Sequence, residues 1–318
     1  MNTFRLLTYL LAIAFLSSPG VLAQDALAVQ SKGLQSRSSE QSGLLVMAHG
    51  GSDDWNQAVI DAVEPLRTEA PVAIAFGMAN PHTLQEAVDK LEAQDVTRIE
   101  VIRLFISGDS FLEATEYAFH IRQEKPPGRF MHEPFPLRLN VPVQLSSRGL
   151  MDVTHLGGIL ADRTQPLMDN PENESVLVIG HGPGSDEENA RWIARMDAMA
   201  DSVRHLAPFH TVEVITLRED WTGKREAAEA AIRAFMEEEQ AAGRSVLVVP
   251  FRLRGFGPYA DVLEGFAYQA DHNGFLPDAR ITDWIRAEFD MLKHLPRRSV
   301  TSSREPIRTS SPSPGHTH

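Results

Sequence analysis

The sequence predicts an α/β protein built as two tandem similar lobes, each a parallel sheet with helices on both faces. Three observations lead there. Short, continuously apolar runs alternate with segments of helical periodicity. The same order of elements occurs twice along the chain. In each half the first apolar run ends in a His-Gly turn of small residues, His49-Gly50-Gly51-Ser52 and His181-Gly182-Pro183-Gly184-Ser185.

The first lobe is expected over residues 42–168. Gly43 to Ala48 is an uninterrupted apolar run, the pattern of a strand buried on both faces. A helix is predicted from Asp53 to Arg67, with Trp55, Val59, Ala62 and Val63 on one face. Val72–Phe76 reads as a second strand. A helix over Thr83–Ala93 follows, with Leu84, Ala87, Val88 and Leu91 at i, i+3, i+4 and i+7 and Thr83 as its N-cap. Ile99–Ile106 is a third strand and Ser110–His120 a further helix.

A polar, turn-forming stretch, Asp169 to Glu174, separates this unit from a second lobe over residues 174–295. There the strands are Ser175–Gly180, Val212–Leu217 and Ser245–Phe251, alternating with helices over Glu187–His205 and Lys224–Ala241. The second half carries extra residues, mainly around Arg218 to Gly223 and in its longer helices.

Composition narrows the possibilities. The chain has 318 residues, 42% of them hydrophobic, enough for two cores of ordinary size. It has 30 basic against 43 acidic residues, a net charge of −13, which repels nucleic-acid phosphates. Arg244, Arg252 and Arg254 are too small a patch to override that field, so no nucleic-acid partner is expected. The absence of cysteine excludes disulfides, thiolate metal sites and thiol nucleophiles.

The N-terminus has the layout of an export signal over residues 1–23. Arg5 provides the positive region, Leu6 to Leu16 an apolar stretch interrupted only by Thr8, and Val21-Leu22-Ala23 a small-residue cleavage site. The expectation is a periplasmic or secreted protein with no stable membrane insertion after cleavage. The alternative, an uncleaved anchor, is disfavoured by an apolar stretch short for a bilayer. Residues 24–41 read as a linker and 296–318 as a disordered tail rich in Ser, Pro, Arg and Thr.

The candidate chemistry lies at the strand ends. Ligands of open α/β sheets bind at the carboxyl edge, where His49 and His181 fall. An imidazole there can ligate a metal or accept a proton near neutral pH. The plain alternative for each is a His that satisfies local backbone groups; the repetition argues against it. Neither glycine turn fits a Walker or dinucleotide fingerprint, so no nucleotide is expected. Asp53 and Asp54, like Asp186 and Glu187, suit the helix starts. His82 is expected to serve its helix's cap region. Glu264 is placed either in the cleft or in solvent.

The run Gly43-Leu-Leu-Val-Met-Ala-His-Gly-Gly-Ser52 resembles the opening motif of the sirohydrochlorin chelatases, the class II tetrapyrrole metal chelatases. Asn80-Pro-His-Thr-Leu-Gln-Glu-Ala87, the strand Ile99–Ile106 and, in the second half, Val176 to Ser185 are similar to that family as well. The resemblance implies paired α/β lobes facing a cleft, and ATP-independent insertion of Co2+, Fe2+ or Ni2+ into a tetrapyrrole. Carried over by motif, His49 takes the place of the catalytic His, with His181 as its second-lobe counterpart.

One departure stands out. The family has another His after the third strand, where this chain reads Phe105-Ile-Ser-Gly-Asp-Ser110 and, in the second half, Phe251-Arg-Leu-Arg-Gly-Phe-Gly-Pro-Tyr259. Asp109, Glu113 and Glu116 are candidate oxygen ligands or bases in its stead, which would favour harder ions. The expected metal set is His49, His181, Asp109 and Glu113. Arg252 and Arg254 are candidates to pair with tetrapyrrole carboxylates. The function expected is therefore insertion of cobalt or iron into a tetrapyrrole such as sirohydrochlorin in a cleft between the lobes. The rival is a noncatalytic exported protein that binds metal or tetrapyrrole. A generic α/β hydrolase is weaker, since no Gly-x-Ser-x-Gly elbow occurs in the body of the chain.

Overall fold

Two four-stranded sheets share one topology, and every strand pairing in them is parallel. The first contains β1 (Ser42–Ala48), β2 (Val72–Phe76), β3 (Arg98–Leu104) and β4 (Val143–Leu145), in the order β2-β1-β3-β4. The second contains β5 (Glu174–Gly180), β6 (Thr211–Thr216), β7 (Ser245–Phe251) and β8 (Gln269–Ala270), in the order β6-β5-β7-β8. The computed structural model describes residues 41–128 and 130–296. The expected signal peptide, the linker up to residue 40 and the tail from residue 297 lie outside the described residues.

Registers make the two sheets comparable position by position. Ala48 pairs with Phe76 and Leu104; Gly180 pairs with Thr216 and Phe251. β1 and β5 are thus the central strands, covered on both faces, which is why each reads as a continuous apolar run. Their carboxyl ends lie where the strand order reverses, so His49 and His181 follow a switch point in each sheet.

The helices follow the predicted pattern, with shifts at their ends. α1 (Asp53–Val63) is capped by Ser52 and continues as a 3-10 turn at Glu64–Thr68, because Pro65 cannot donate to an α-helical bond. α2 (Pro81–Glu92) starts earlier than expected. Asn80, not Thr83, is its cap, accepting from the His82 amide at 3.0 Å. The Thr83 hydroxyl instead donates to the Phe76 carbonyl at 2.7 Å. α3 (Leu112–Ala118) starts late because Phe111 is left-handed, at φ 56°. α4 (Gly157–Thr164) precedes the second sheet. α5 (Asp186–Arg204), capped by Ser185, and α6 (Thr222–Ala241) flank it, with α7 (Tyr259–Val262) and α8 (Ala279–Lys293) closing the described chain.

Packing does not follow chain order. α4 lies on α5 and β7 of the second sheet, so close that a Cβ on Gly157 would stand 2.3 Å from the Met199 carbonyl oxygen. α8 returns to the first sheet and packs on β3 and α1. Each sheet has therefore received a helix from beyond the 169–174 boundary. One continuous core joins the inner faces of both sheets: Leu44, Val46 and Leu104 of the first, Val178, Val249 and Phe251 of the second, with Trp284, Ile285 and Phe289 of α8. The outer faces have separate cores, Leu45, Met47 and Val101 with α2 in one lobe, Leu177, Ile179 and Val248 with α6 in the other.

Polar contacts pin α8 to the first sheet. Arg98 donates to the Leu292 carbonyl at 2.9 Å and the Lys293 carbonyl at 3.1 Å. Buried Glu288 accepts from the Ser146 hydroxyl at 2.6 Å and from Arg148 at 2.8 Å. Thr282 donates to the Ala62 carbonyl at 2.7 Å.

Candidate functional site

Each lobe builds the same turn at the end of its central strand. Gly50 and Gly182 are left-handed, at φ 83° and 75°. A Cβ on Gly182 would come within 2.6 Å of Thr216 on the neighbouring strand, so glycine is required by conformation and by space. The reversal brings the glycine carbonyl back over the preceding ring. His49 Nδ1 lies 2.7 Å from the Gly50 oxygen, and His181 Nδ1 lies 2.8 Å from the Gly182 oxygen. A carbonyl only accepts, so Nδ1 carries the proton in both rings and Nε2 is turned outward.

Asn56 further locks the first turn, accepting from the Gly51 amide at 2.9 Å and donating to the Gly51 carbonyl at 3.3 Å. Asn189 holds the same place after its Ser cap in the second lobe, accepting from the Thr216 hydroxyl at 2.6 Å. Arg218, two residues past β6, is left-handed at φ 59° and matches Met78, which is left-handed at φ 60° two residues past β2. The buried Arg218 donates to the Pro183 carbonyl, to the Gly184 carbonyl at 2.5 Å and to Asp186 at 3.1 Å, fastening the loop after His181. Bonds from Lys224 and Arg218 hold the Asp186 carboxyl below the usual range.

The two edges differ in what surrounds the histidine. In the first lobe the residues past the neighbouring strands are apolar, with Ala79 and Phe105 both buried. In the second lobe the register puts Glu219 and Arg252 in those places, and they form an ion pair. His181 Nε2 stands 3.1 Å from Asp220 and 4.0 Å from Glu219. Burial alone would lower the pKa of Arg252, but the Tyr259 and Glu219 oxygens beside it outweigh that and hold the guanidinium charged. The fully buried Tyr259, whose ring lies under Arg252 at 5.7 Å, has its phenol pushed up by burial.

Other sequence candidates take different places. Asp109 is exposed on the loop after β3, while Glu113 and Glu116 both lie beside Arg122, Glu113 as its close ion pair. Among the described residues, no group of three or more His, Asp or Glu side chains is arranged to hold a metal ion. The expected set of His49, His181, Asp109 and Glu113 is therefore not gathered into one coordination shell. Arg254 donates to Asn273 at 2.9 Å and to the Leu276 carbonyl at 3.2 Å. His82 sits at the start of α2, edge-on to Phe135 at 5.2 Å, and Glu264 is exposed. The sequence reading missed Glu219 and Asp220; they lie within the insertion it noted at Arg218 to Gly223.

Two parallel sheets of identical order, each ending its central strand in a histidine pinned by the following glycine, define a two-lobed, chelatase-like α/β fold. Residues 43–110 match the CbiX family. Among solved structures, SirB from Bacillus subtilis with Fe3+ superposes at a TM-score of 0.54 with 15% identity, over 79% of this chain and 95% of that one. The sirohydrochlorin chelatase SirB from Bacillus subtilis subspecies spizizenii, in complex with cobalt, gives 0.52 with 13% identity over the same shares. A multi-domain protein of Deinococcus radiodurans, with structural similarity to chelatases and two additional domains, gives 0.51 with 15% identity, over 78% of this chain and 55% of that one. No curated protein matches the chain in sequence. The chain thus shares its two-lobed fold with these chelatase-like structures, and its first lobe carries the CbiX match.

Proposed function

We propose that this protein joins a divalent metal, cobalt or iron, to a tetrapyrrole such as sirohydrochlorin at the carboxyl edges of its sheets. The observation that carries the reading is the duplicated histidine whose Nδ1 is tied to the next glycine, leaving Nε2 outward. Metal insertion needs two pyrrole N–H protons removed and a partly desolvated ion delivered. An exposed neutral imidazole serves either task. The metal is a substrate here, Co2+, Fe2+ or Ni2+, and a site that releases its ion has no need of a closed shell. His49 is the leading ligand or proton acceptor and His181 its partner, with Asp109 on the same edge of the first lobe. Arg252, now paired with Glu219, and Arg254, now bonded to Asn273, are the cations that ligand carboxylates would draw from those partners. The export-signal layout of residues 1–23 supports a site of action outside the cytoplasm, in the periplasm or the medium.

The test is incubation of the purified protein with sirohydrochlorin and Co2+ or Fe2+, followed by absorbance. A rate above the protein-free background that His49→Ala abolishes is the expected result. Tight binding without a rate would favour the second reading, a noncatalytic exported carrier of metal or tetrapyrrole. That reading is supported by the lack of a second His after β3 and β7.

A further inference from the structure

The chain has four tryptophans. Trp192 and Trp284 are core residues, 6% and 4% exposed. The other two flank the two histidines. Trp55 is edge-on to His49, with centroids 6.3 Å apart, and Trp221 is edge-on to His181 at 6.0 Å. The two indoles come to similar distances from their histidines, but from different parts of the chain. Trp55 stands in the first turn of the helix after β1; Trp221 follows β6 and borders α6.

In each lobe the loop beyond the histidine makes room with a glycine. A Cβ on Gly51 would stand 3.1 Å from Trp55, and one on Gly184 would stand 2.3 Å from Trp221 Nε1. Trp221 is 39% exposed, although an indole usually gains by burial. An exposed, positioned indole beside an outward-facing imidazole suits a flat, conjugated ligand. The ring gains stacking area on the indole while the imidazole meets its nitrogens or substituents.

We propose that Trp221, with Trp55 as its first-lobe counterpart, is the stacking surface for the planar macrocycle. The second lobe, beyond the segment carrying the family signature, then contributes directly to substrate binding. This rests on the tetrapyrrole reading above. Stacking of this kind sets affinity, so Trp221 is a binding residue rather than a proton-transfer group.

The experiment titrates the full-length protein with metal-free sirohydrochlorin and follows both tryptophan fluorescence and ligand absorbance. The expected result is quenching in the wild type and about tenfold weaker binding in Trp221→Ala. Trp221→Phe should recover most of the affinity, because it restores a flat ring. Gly184→Ala keeps the indole but displaces it, and is expected to weaken binding like Trp221→Ala. Buried Trp192 and Trp284 report by emission that each variant is folded. Wild-type affinity in Trp221→Ala, Trp55→Ala and Gly184→Ala would overturn the proposal and leave the tetrapyrrole reading standing. No binding by the wild type would overturn both.

Discussion

His181 Nε2 lies 3.1 Å from Asp220 Oδ2, whereas at the matching place after β2 the first lobe has Asn80, the cap of α2. The two histidines share a turn and an Nδ1 bond but differ at the nitrogen that faces a ligand. Asp220 occupies the ligand-facing side of His181, whereas the first lobe has no carboxylate in that place and leaves His49 Nε2 open to a metal or a pyrrole proton. His49→Ala is therefore expected to lower the rate of cobalt insertion by at least about 100-fold, the lower end for a lost proton-transfer group. His181→Ala is expected to lose less, and Asp220→Asn less again. Absorbance assays on the three variants check the order; equal losses at the two histidines would remove the distinction.

The contact between Ser146 and Glu288 ties β4's end to the last described helix. Glu288→Ala removes two hydrogen bonds to a buried carboxylate and opens a small void. The expected destabilisation is about 1.5–3 kcal/mol. Urea unfolding followed by far-UV circular dichroism measures it, and Glu288→Gln should lose less because it keeps the shape and one acceptor.

Arg103 is fully buried in β3 and donates to three carbonyls, those of Ser146, Gly108 and Ser110. Burial lowers its pKa to about 10, so the group is still charged at neutral pH. A lysine cannot reproduce this fork, since its donors radiate from one point. Arg103→Lys is expected to cost about 2 kcal/mol or more through unsatisfied carbonyls. Faster proteolysis within residues 107–110 would accompany it, read by limited digestion and mass spectrometry.

Asp278 caps α8 and binds Arg280 twice through its side chain, as well as the Arg280 amide. Burial raises its pKa, but the Arg280 bonds and the nearby Arg163 charge outweigh that, and the net shift is downward from 3.8. A carboxyl lowered by folding adds stability above its unfolded pKa and loses it as pH falls through the folded value. Asp278→Asn keeps a capping oxygen and removes the charge. It should be less stable than the wild type at pH 7, with the difference closing as pH drops below the ordinary carboxylate range. Denaturant midpoints measured against pH test this, and a constant gap would show that charge is not involved.

Much of the architecture was legible because buried parallel strands leave uninterrupted apolar runs and amphipathic helices leave a 3.6-residue pattern. The His-Gly turn was legible because left-handed glycine is locally determined. Asn80 was missed as a cap since both Asn80 and Thr83 suit the role, and only the position of the Phe76 carbonyl decides between them. The carboxylates beside His181 were seen only as extra length, because pairing across neighbouring strand ends depends on register. Trp221 and His181 are forty positions apart, and nothing local in either sequence context announces the other. The destination of α8 was equally hidden, since an apolar helix face does not name the sheet it will cover.

The exchange of α4 and α8 also has a consequence for how the chain is made. Synthesis is vectorial, and the inner face of β3 waits for a helix some 195 residues downstream, the separation of Arg98 and Lys293. Contacts over so long a sequence separation form slowly. Until α8 emerges, the early half carries an uncovered apolar strand face that chaperones can hold. The half that leaves the ribosome first is thus the half completed last.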